Sequence, residues 1–217
     1  MKVIDLTQMI SHSMPVYPGT EQPHIKQATT IERDGFAEKL LTFYSHTGTH
    51  IDAPAHILSG NHSLDQFNTS KFIGNGLVID VKNCNCGIIN KEYLQKFETG
   101  IHGAEFILFY SGWADKWGSD EYFDNFPVLS SDAAKWLCTF SIKGVGYDCI
   151  SADPVTASEL PNHRILLGND MVIIENLCNL QQLVGQEFLF SCLPLKIEDS
   201  DGSPVRAVGI TFSPDKL

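Results

Sequence analysis

Short apolar runs, rich in β-branched and aromatic residues, recur along the whole chain. Each run is bounded by polar or turn-forming residues, a pattern that is typical of β-strands. Eight runs predict strands: KVIDL, KLLTFYS, NGLVIDV, EFILFYSGW, VGYDCI, MVIIENL, EFLFSCLPLKI and RAVGITFSP.

Helical periodicity appears between some of these strands. NKEYLQKFE and LSSDAAKWLCTF predict helices, with Ser131 or Asp132 as the N-cap of the second. TASELPNHRIL is also helical in pattern, although we expect Pro161 to interrupt it. ENLCNLQQLVG predicts a short helix or a helical turn. Since strands outnumber helices, we predict an α/β fold with a mixed sheet or barrel-like core and peripheral helices.

Composition narrows the class of protein. The chain has 217 residues, of which 43% are hydrophobic, enough for one domain spanning residues 1–217. A net charge of −11 with 15 Lys and Arg argues against a nucleic-acid partner. No run has the length of a signal peptide or a membrane span, so we expect a cytoplasmic protein without a membrane partner.

The six cysteines are scattered, and we expect them to be reduced. Cys84 and Cys86 are interpreted as turn residues. The alternative is a metal-binding pair, but their one-residue spacing is not that of a zinc finger.

The segment SHTGTHIDAPAHIL, residues 45–58, concentrates residues that can bind a metal: His46, His50, Asp52 and His56. Its glycine, threonines and proline argue against a helix. In an extended chain His46, Gly48, His50 and Asp52 would face one side. The two imidazoles would then stand about 13 Å apart at Cα, near the limit for sharing one ion, so we expect a curl or bulge at Gly48.

Imidazole and carboxylate ligands suit zinc or manganese. His46, His50 and Asp52 suffice for a catalytic site with an open position. Metal affinity should then fall as the pH drops through about 6.5, where imidazoles gain protons. The alternative is surface histidines clustered by chance.

A second group of candidate ligands lies far along the chain. Glu175 closes the apolar strand MVIIE, where a buried carboxylate is costly unless it is paired or metal-bound. His163 precedes it in NHRILLGNDMVIIENLCNL. The alternative for Glu175 is a strand-end residue in solvent.

The chain resembles the cyclase-like metal-dependent hydrolases, which include bacterial kynurenine formamidase and isatin hydrolase. The resemblance runs through IDLTQMISHSMPVYPG, HTGTHIDAPAH, YSGW, VGYDCISAD and HRILLGNDMVIIENLCNL. It implies a swivelling β/β/α-type fold and a homodimer or homotetramer. It also implies that His46, His50 and Asp52 bind one metal ion.

The same resemblance implies a second ion held by His163 and Glu175, to which Asp52 can bridge, and a proton-transfer role for His56. One or two Zn²⁺ ions per chain are expected, with Mn²⁺ as the alternative. The formamidases carry a tryptophan where this chain has Tyr17, which we assign to substrate binding.

Such a site predicts hydrolysis of an amide bond in a small-molecule substrate, either an aryl formamide such as N-formylkynurenine or a cyclic amide. His56 follows the turn-forming proline and is the candidate acid and base. Tyr17, Phe43 and Trp113 could line an aromatic pocket, although core packing is an equal alternative for each. Two other functions stay open: hydrolysis of a lactone or cyclic imide, and metal binding without catalysis.

Overall fold

A nine-stranded mixed sheet forms the centre of the fold. The computed structural model describes residues 1–84 and 87–212. The strands are β1 Lys2–Asp5, β2 His24–Thr29, β3 Glu38–Thr42, β4 His50–Asp52, β5 Ile73–Asp80, β6 Ile88–Ile89, β7 Phe106–Tyr110, β8 Val128–Leu129, β9 Gly144–Tyr147, β10 Val172–Glu175, β11 Phe188–Ser191, β12 Gly202–Pro204 and β13 Val208–Thr211. The helices are α1 Ile31–Asp34, α2 Lys91–Gln95, α3 Glu98–Gly103, α4 Ser131–Leu137 and α5 Pro161–Gly168.

The sheet has the order β1-β13-β11-β5-β7-β9-β10-β4-β12. Strands β5, β7, β9 and β10 are parallel, and antiparallel strands flank them on both sides. Ile4 of β1 and Ile51 of β4 belong to one buried cluster although they lie near opposite ends of this order. The sheet is therefore curled into a half-barrel, which confirms the predicted α/β fold.

Alternating side chains along the strands build a core on each face of the sheet. In β7, Phe106 and Leu108 point into the inner core, whereas Ile107 and Phe109 point into the outer core. Helices α2 to α5 cover the outer core with apolar residues such as Leu137 of α4.

All eight predicted strands occur at the runs that predict them. Two details of the predicted helices are wrong. Pro161 begins α5 and does not interrupt it, because proline lacks only a donor that the first turn leaves unpaired. Ser130, and not Ser131 or Asp132, caps α4 by accepting a hydrogen bond from the amide of Ala133.

Membrane-spanning helices and the cysteine pair can also be compared with the predictions from composition. No helix within residues 1–84 and 87–212 is long and apolar enough to cross a bilayer. Cys84 is a free thiol. Cys86 lies outside the described residues, so the turn proposed for this pair stays a prediction.

Candidate metal centre

Two antiparallel strands, β4 and β10, bring the first three polar side chains of the site together. Glu175 pairs with His50 in their register. Ile51 points into the inner core, so His50 and Asp52 share the opposite face of β4. His50 Nε2 lies 3.3 Å from Asp52 Oδ1 and 3.4 Å from Glu175 Oε2.

A turn at Gly48 adds His46 to this group. Gly48 has a φ of +66°, a conformation that glycine adopts without strain. Its carbonyl accepts hydrogen bonds from His50 Nδ1 and Asn176 Nδ2, both at 2.8 Å. The chain therefore doubles back, and His46 Nδ1 lies 2.7 Å from Asp52 Oδ1. The predicted curl at Gly48 is confirmed, whereas an extended strand from residue 46 is wrong.

Helix α5 supplies the remaining imidazole. His163 Nδ1 donates to the buried carboxylate of Asp153 at 2.7 Å. This contact turns His163 Nε2 toward the sheet, where it lies 3.3 Å from Glu175 Oε1 and 3.8 Å from Asp52 Oδ2. The residue before the helix, Leu160, has a φ of +46°, which is strained for a leucine and which sets the direction in which α5 begins.

Among the residues that the structure describes, three groups of side chains in the centre have candidate ligand atoms close enough to hold a metal ion. Two of them share Asp52: one is His46, His50 and Asp52, and the other is Asp52, His163 and Glu175. The third, His46, His56 and Asp201, is less buried. Within each group the candidate ligand atoms lie within 4.8 Å of one another. Because Asp52 belongs to the first two groups, its two carboxylate oxygens can serve two neighbouring ions.

The imidazoles of the site are more basic than usual. Burial lowers the pKa of His50, but the charge of Asp52 and hydrogen bonds to Asp52 and Glu175 outweigh it and raise the pKa to about 10. His163 is likewise raised to a pKa of about 10, since its hydrogen bonds to Asp153 and Glu175 exceed the effect of burial. For His46, the charge of Asp52 outweighs burial and raises the pKa to about 9.

The carboxylates show the opposite shift. Burial raises the pKa of Asp52, but the charges of His46 and His50 outweigh it and hold the pKa well below its usual value. The pKa of Glu175 is also lowered, because hydrogen bonds from His163 and His50 exceed the effects of burial and of Asp52. Both carboxylates therefore carry negative charge at neutral pH.

His56 stands beside this cluster and differs from it electrostatically. His56 ends a 3-10 turn, residues 54–56, that follows β4. The centroid of its ring lies 4.0 Å from that of the His46 ring. Burial lowers the pKa of His56, and the charge of His46 lowers it further against the attraction of Asp52. His56 is therefore neutral at neutral pH and able to accept a proton.

A cavity of about 520 Å³ opens over the cluster. Its apolar wall includes Met14, Tyr17, Tyr44 and Leu160. The hydroxyl of Tyr17 donates to the carbonyl of Val155 at 3.3 Å, which holds the ring at the mouth.

The other two aromatic candidates lie elsewhere. Trp113 packs against the outer core and donates Nε1–H to the carbonyl of Tyr122. Phe43 is half-buried and is not among the lining residues, whereas its neighbour Tyr44 is.

The structure thus brings His46, His50, Asp52, His56, His163, Glu175 and Tyr17 to one cavity. Sequence reasoning missed Asp153, Asn176 and Asp201, which hydrogen-bond to these residues or to the turn between them. Asp153 ends the run VGYDCISAD, which begins in the buried strand β9, and an acidic residue in the segment after that strand was the available signal. Asn176 and Asp201 carried no signal, since nothing near them in sequence predicts their partners.

A curled mixed sheet that, with a turn and a helix at its edge, places imidazoles and carboxylates in one cavity defines a class of α/β proteins with a metal-binding site. The profile of the family described as putative cyclase matches residues 4–154. The chain belongs to this family, the cyclase-like metal-dependent hydrolases.

Its relatives match over nearly the whole chain. Kynurenine formamidase of Bacillus thuringiensis (strain Al Hakam) is 32% identical over 206 residues, covering 94% of this chain and 95% of the relative. Isatin hydrolase A of Ralstonia solanacearum superposes with a TM-score of 0.85 at 27% identity, covering 97% of this chain and 92% of that chain. A potential metal-dependent hydrolase with cyclase activity superposes with a TM-score of 0.81 at 28% identity, covering 98% of this chain and 99% of that chain.

Proposed function

We propose that this protein is a metal-dependent amidohydrolase that cleaves the C–N bond of an aryl formamide, such as N-formylkynurenine, or of a cyclic amide. The observation that carries the proposal is the convergence of two ligand groups, sharing Asp52, on one cavity. The formamidase relative supports the formamide, and isatin hydrolase A supports the cyclic amide.

The residues present fit a divalent ion. His50 and His163 each commit Nδ1 to a hydrogen bond and present Nε2 to the buried carboxylates. Carboxylates held this deep are stabilised by positive charge, and an ion supplies it. Imidazole and carboxylate together favour Zn²⁺, with Mn²⁺ as the alternative, as one ion or two. Such an ion supplies Lewis acidity toward a carbonyl and an acidified water.

The chain's own residues then complete the reaction. His56 is the proposed acid and base, since it is neutral, lines the cavity and lies beside the ligand groups. It accepts the proton of the attacking water and delivers it to the departing nitrogen. Tyr17 is proposed to contact the substrate. Burial raises the pKa of its hydroxyl, as do the charges of Glu175 and Asp153, so the hydroxyl stays neutral and keeps its hydrogen bond to the carbonyl of Val155.

Two other functions keep the same residues. A lactone or cyclic imide would change only the contacts at the cavity wall. A protein that binds metal without catalysis would not need His56 beside a complete set of ligands.

The decisive experiment combines metal analysis with a substrate screen. Protein purified without chelator is analysed for bound metal, stripped, reloaded with Zn²⁺ or Mn²⁺, and assayed on N-formylkynurenine, isatin, cyclic imides and lactones. We expect hydrolysis only in the reloaded protein. Equal hydrolysis by stripped and reloaded protein would disprove metal dependence, and bound metal with no hydrolysis would favour the non-catalytic alternative.

The role of His56 has its own test. His56→Ala should keep the metal, while kcat falls by roughly 10² to 10⁴, the contribution of a positioned acid or base. Anilides should lose more than aryl esters, because nitrogen must be protonated before it departs. Loss of metal equal to that of His50→Ala would make His56 a ligand.

We also propose a homodimer or homotetramer. Strands β2 and β3 form a separate two-stranded sheet, and no residue of β3 is buried. This hairpin exposes Ile31, Phe36, Leu40 and Leu41, each by more than half. A lone hairpin is marginally stable in water, so a second chain covering it is the natural partner. Light scattering should show a Leu40→Glu, Leu41→Glu variant to be monomeric, and a monomeric wild type would refute the proposal.

A further inference from the structure

The two most buried imidazoles of the centre, those of His50 and His163, each donate a hydrogen bond from the ring nitrogen that faces away from the carboxylates. His50 donates Nδ1–H to the carbonyl of Gly48 at 2.8 Å, and His163 donates Nδ1–H to Asp153 at 2.7 Å. In both, the nitrogen facing away from the carboxylate pair is held by a backbone or side-chain acceptor. Such partners set the tautomer and orientation of a metal-binding histidine and make it a better ligand.

His46 has the same arrangement with the two ring nitrogens exchanged, and its acceptor is Asp201. Its Nδ1 faces Asp52 at 2.7 Å, and its Nε2 lies 2.9 Å from Asp201 Oδ2. The same oxygen of Asp201 lies 3.4 Å from His56 Nδ1. The other oxygen, Oδ1, accepts the hydroxyl of Ser45 at 3.0 Å, so both halves of the carboxylate are engaged.

Backbone pairing fixes Asp201 beside β4, the strand that carries His50 and Asp52. The carbonyl of Asp201 accepts the amide of Ala53 at 2.8 Å, and the next residue, Gly202, pairs with Asp52 where β12 joins β4. A Cβ at Gly202 would stand 2.5 Å from His46 Cε1, closer than any real contact. The absence of a side chain there lets the His46 ring lie against the strand, within reach of the carboxylate.

We infer that Asp201 is a positioning residue that holds Nε2–H of His46, presents Nδ1 of His46 to the metal, and steers His56 through the same oxygen. This inference rests on the proposed function. Asp201 acts on metal affinity through His46 and on the rate of proton transfer through His56. Asp201 differs from the five proposed ligands in its exposure, since its side chain is 44% exposed.

The test is Zn²⁺ affinity, measured by competition with a chromophoric chelator. Asp201→Ala should weaken binding by about 10- to 100-fold, the usual loss when the partner of a metal-binding histidine is removed. Asp201→Asn should lose less, because its amide oxygen still accepts Nε2–H. Asp199→Asn is the matched control, since Asp199 is exposed on the same loop and asparagine tolerates its φ of +52°.

Thermal unfolding of the stripped variants should match that of the wild type, which separates positioning from folding. Zn²⁺ affinity of Asp201→Ala within twofold of wild type would overturn the inference, as would an equal loss in Asp199→Asn. At saturating Zn²⁺, Asp201→Ala should keep a reduced kcat with an unchanged KM, and full recovery of kcat would remove the role at His56.

These outcomes are separable from the fate of the proposed function. A wild type that binds Zn²⁺ but hydrolyses nothing refutes the function and leaves the affinity comparison intact. A wild type that binds neither Zn²⁺ nor Mn²⁺ overturns both.

Discussion

Zinc binding to the stripped protein should release protons far above the pH at which free histidine titrates. His46 and His50 have pKa values raised to about 9 and about 10, so both are protonated at neutral pH. Because a metal ion binds neutral imidazole, an ion held by these two residues displaces two protons. By linkage, each added pH unit should raise the affinity about 100-fold between about pH 7 and 8.5.

This pH range lies above the one expected from the sequence alone, which places the change in metal affinity at about pH 6.5. The reason is the buried charge of Asp52, which holds protons on its neighbours. Calorimetry in two buffers of different ionisation enthalpy counts the released protons, and chelator competition at several pH values gives the slope. An affinity independent of pH above 7 would show that the imidazoles are neutral before the metal binds.

The same shifts predict how the stability of the stripped protein depends on pH. A raised histidine pKa stabilises the fold fully below about 6.5, and this stabilisation is lost as the pH rises through 9 to 10. The melting temperature of stripped protein should therefore fall between about pH 7 and 9.5. Zinc-loaded protein should not show this loss, since its imidazoles are already deprotonated. Parallel melting curves for the two forms would contradict the linkage.

Three substitutions test other parts of the structure. Glu175→Gln should loosen the bound metal about tenfold or more, measured by chelator competition, and unchanged metal content would reassign Glu175 to structure. Gly202→Ala should lower Zn²⁺ affinity, because its Cβ would displace the His46 ring, while the unfolding temperature of the stripped protein should change little. Wild-type affinity in this variant would show that the ring moves without cost. Phe106→Ala should reduce the free energy of unfolding by about 3 to 5 kcal/mol in urea titration, because the fully buried ring packs edge-to-face against Phe190. A loss below about 1 kcal/mol would mean that the core collapses around the gap.

The sequence predicts eight of the strands because their apolar, β-branched runs are local signals. It does not predict β2, β6, β8 or β12. The three residues of β12, GSP, contain glycine and proline and carry no strand pattern. That strand exists because it pairs with β4 along one edge of the sheet. Tertiary pairing, and not local preference, decides such an element.

The ligand candidates could be predicted for a similar reason. His46, His50, Asp52 and His56 stand within eleven residues, where spacing alone indicates a shared role. Asp201 belongs to the same centre but is 155 residues from His46, in a loop whose other acidic residues are exposed. Only the three-dimensional fold distinguishes it from them.

The long separation between His46 and Asp201 also bears on how the protein acquires its metal. The centre is built from segments far apart in the chain, and such contacts form late because distant segments must first meet. An unfinished chain lacking residues 201–204 would carry all five proposed ligands but not the Asp201 carboxylate that holds His46, so it would bind the ion more weakly. Metal would then stabilise the finished fold most, adding about 4 kcal/mol at a free concentration 1,000 times Kd. Retention of the ion at full affinity therefore reports that the segment carrying Asp201 has joined β4.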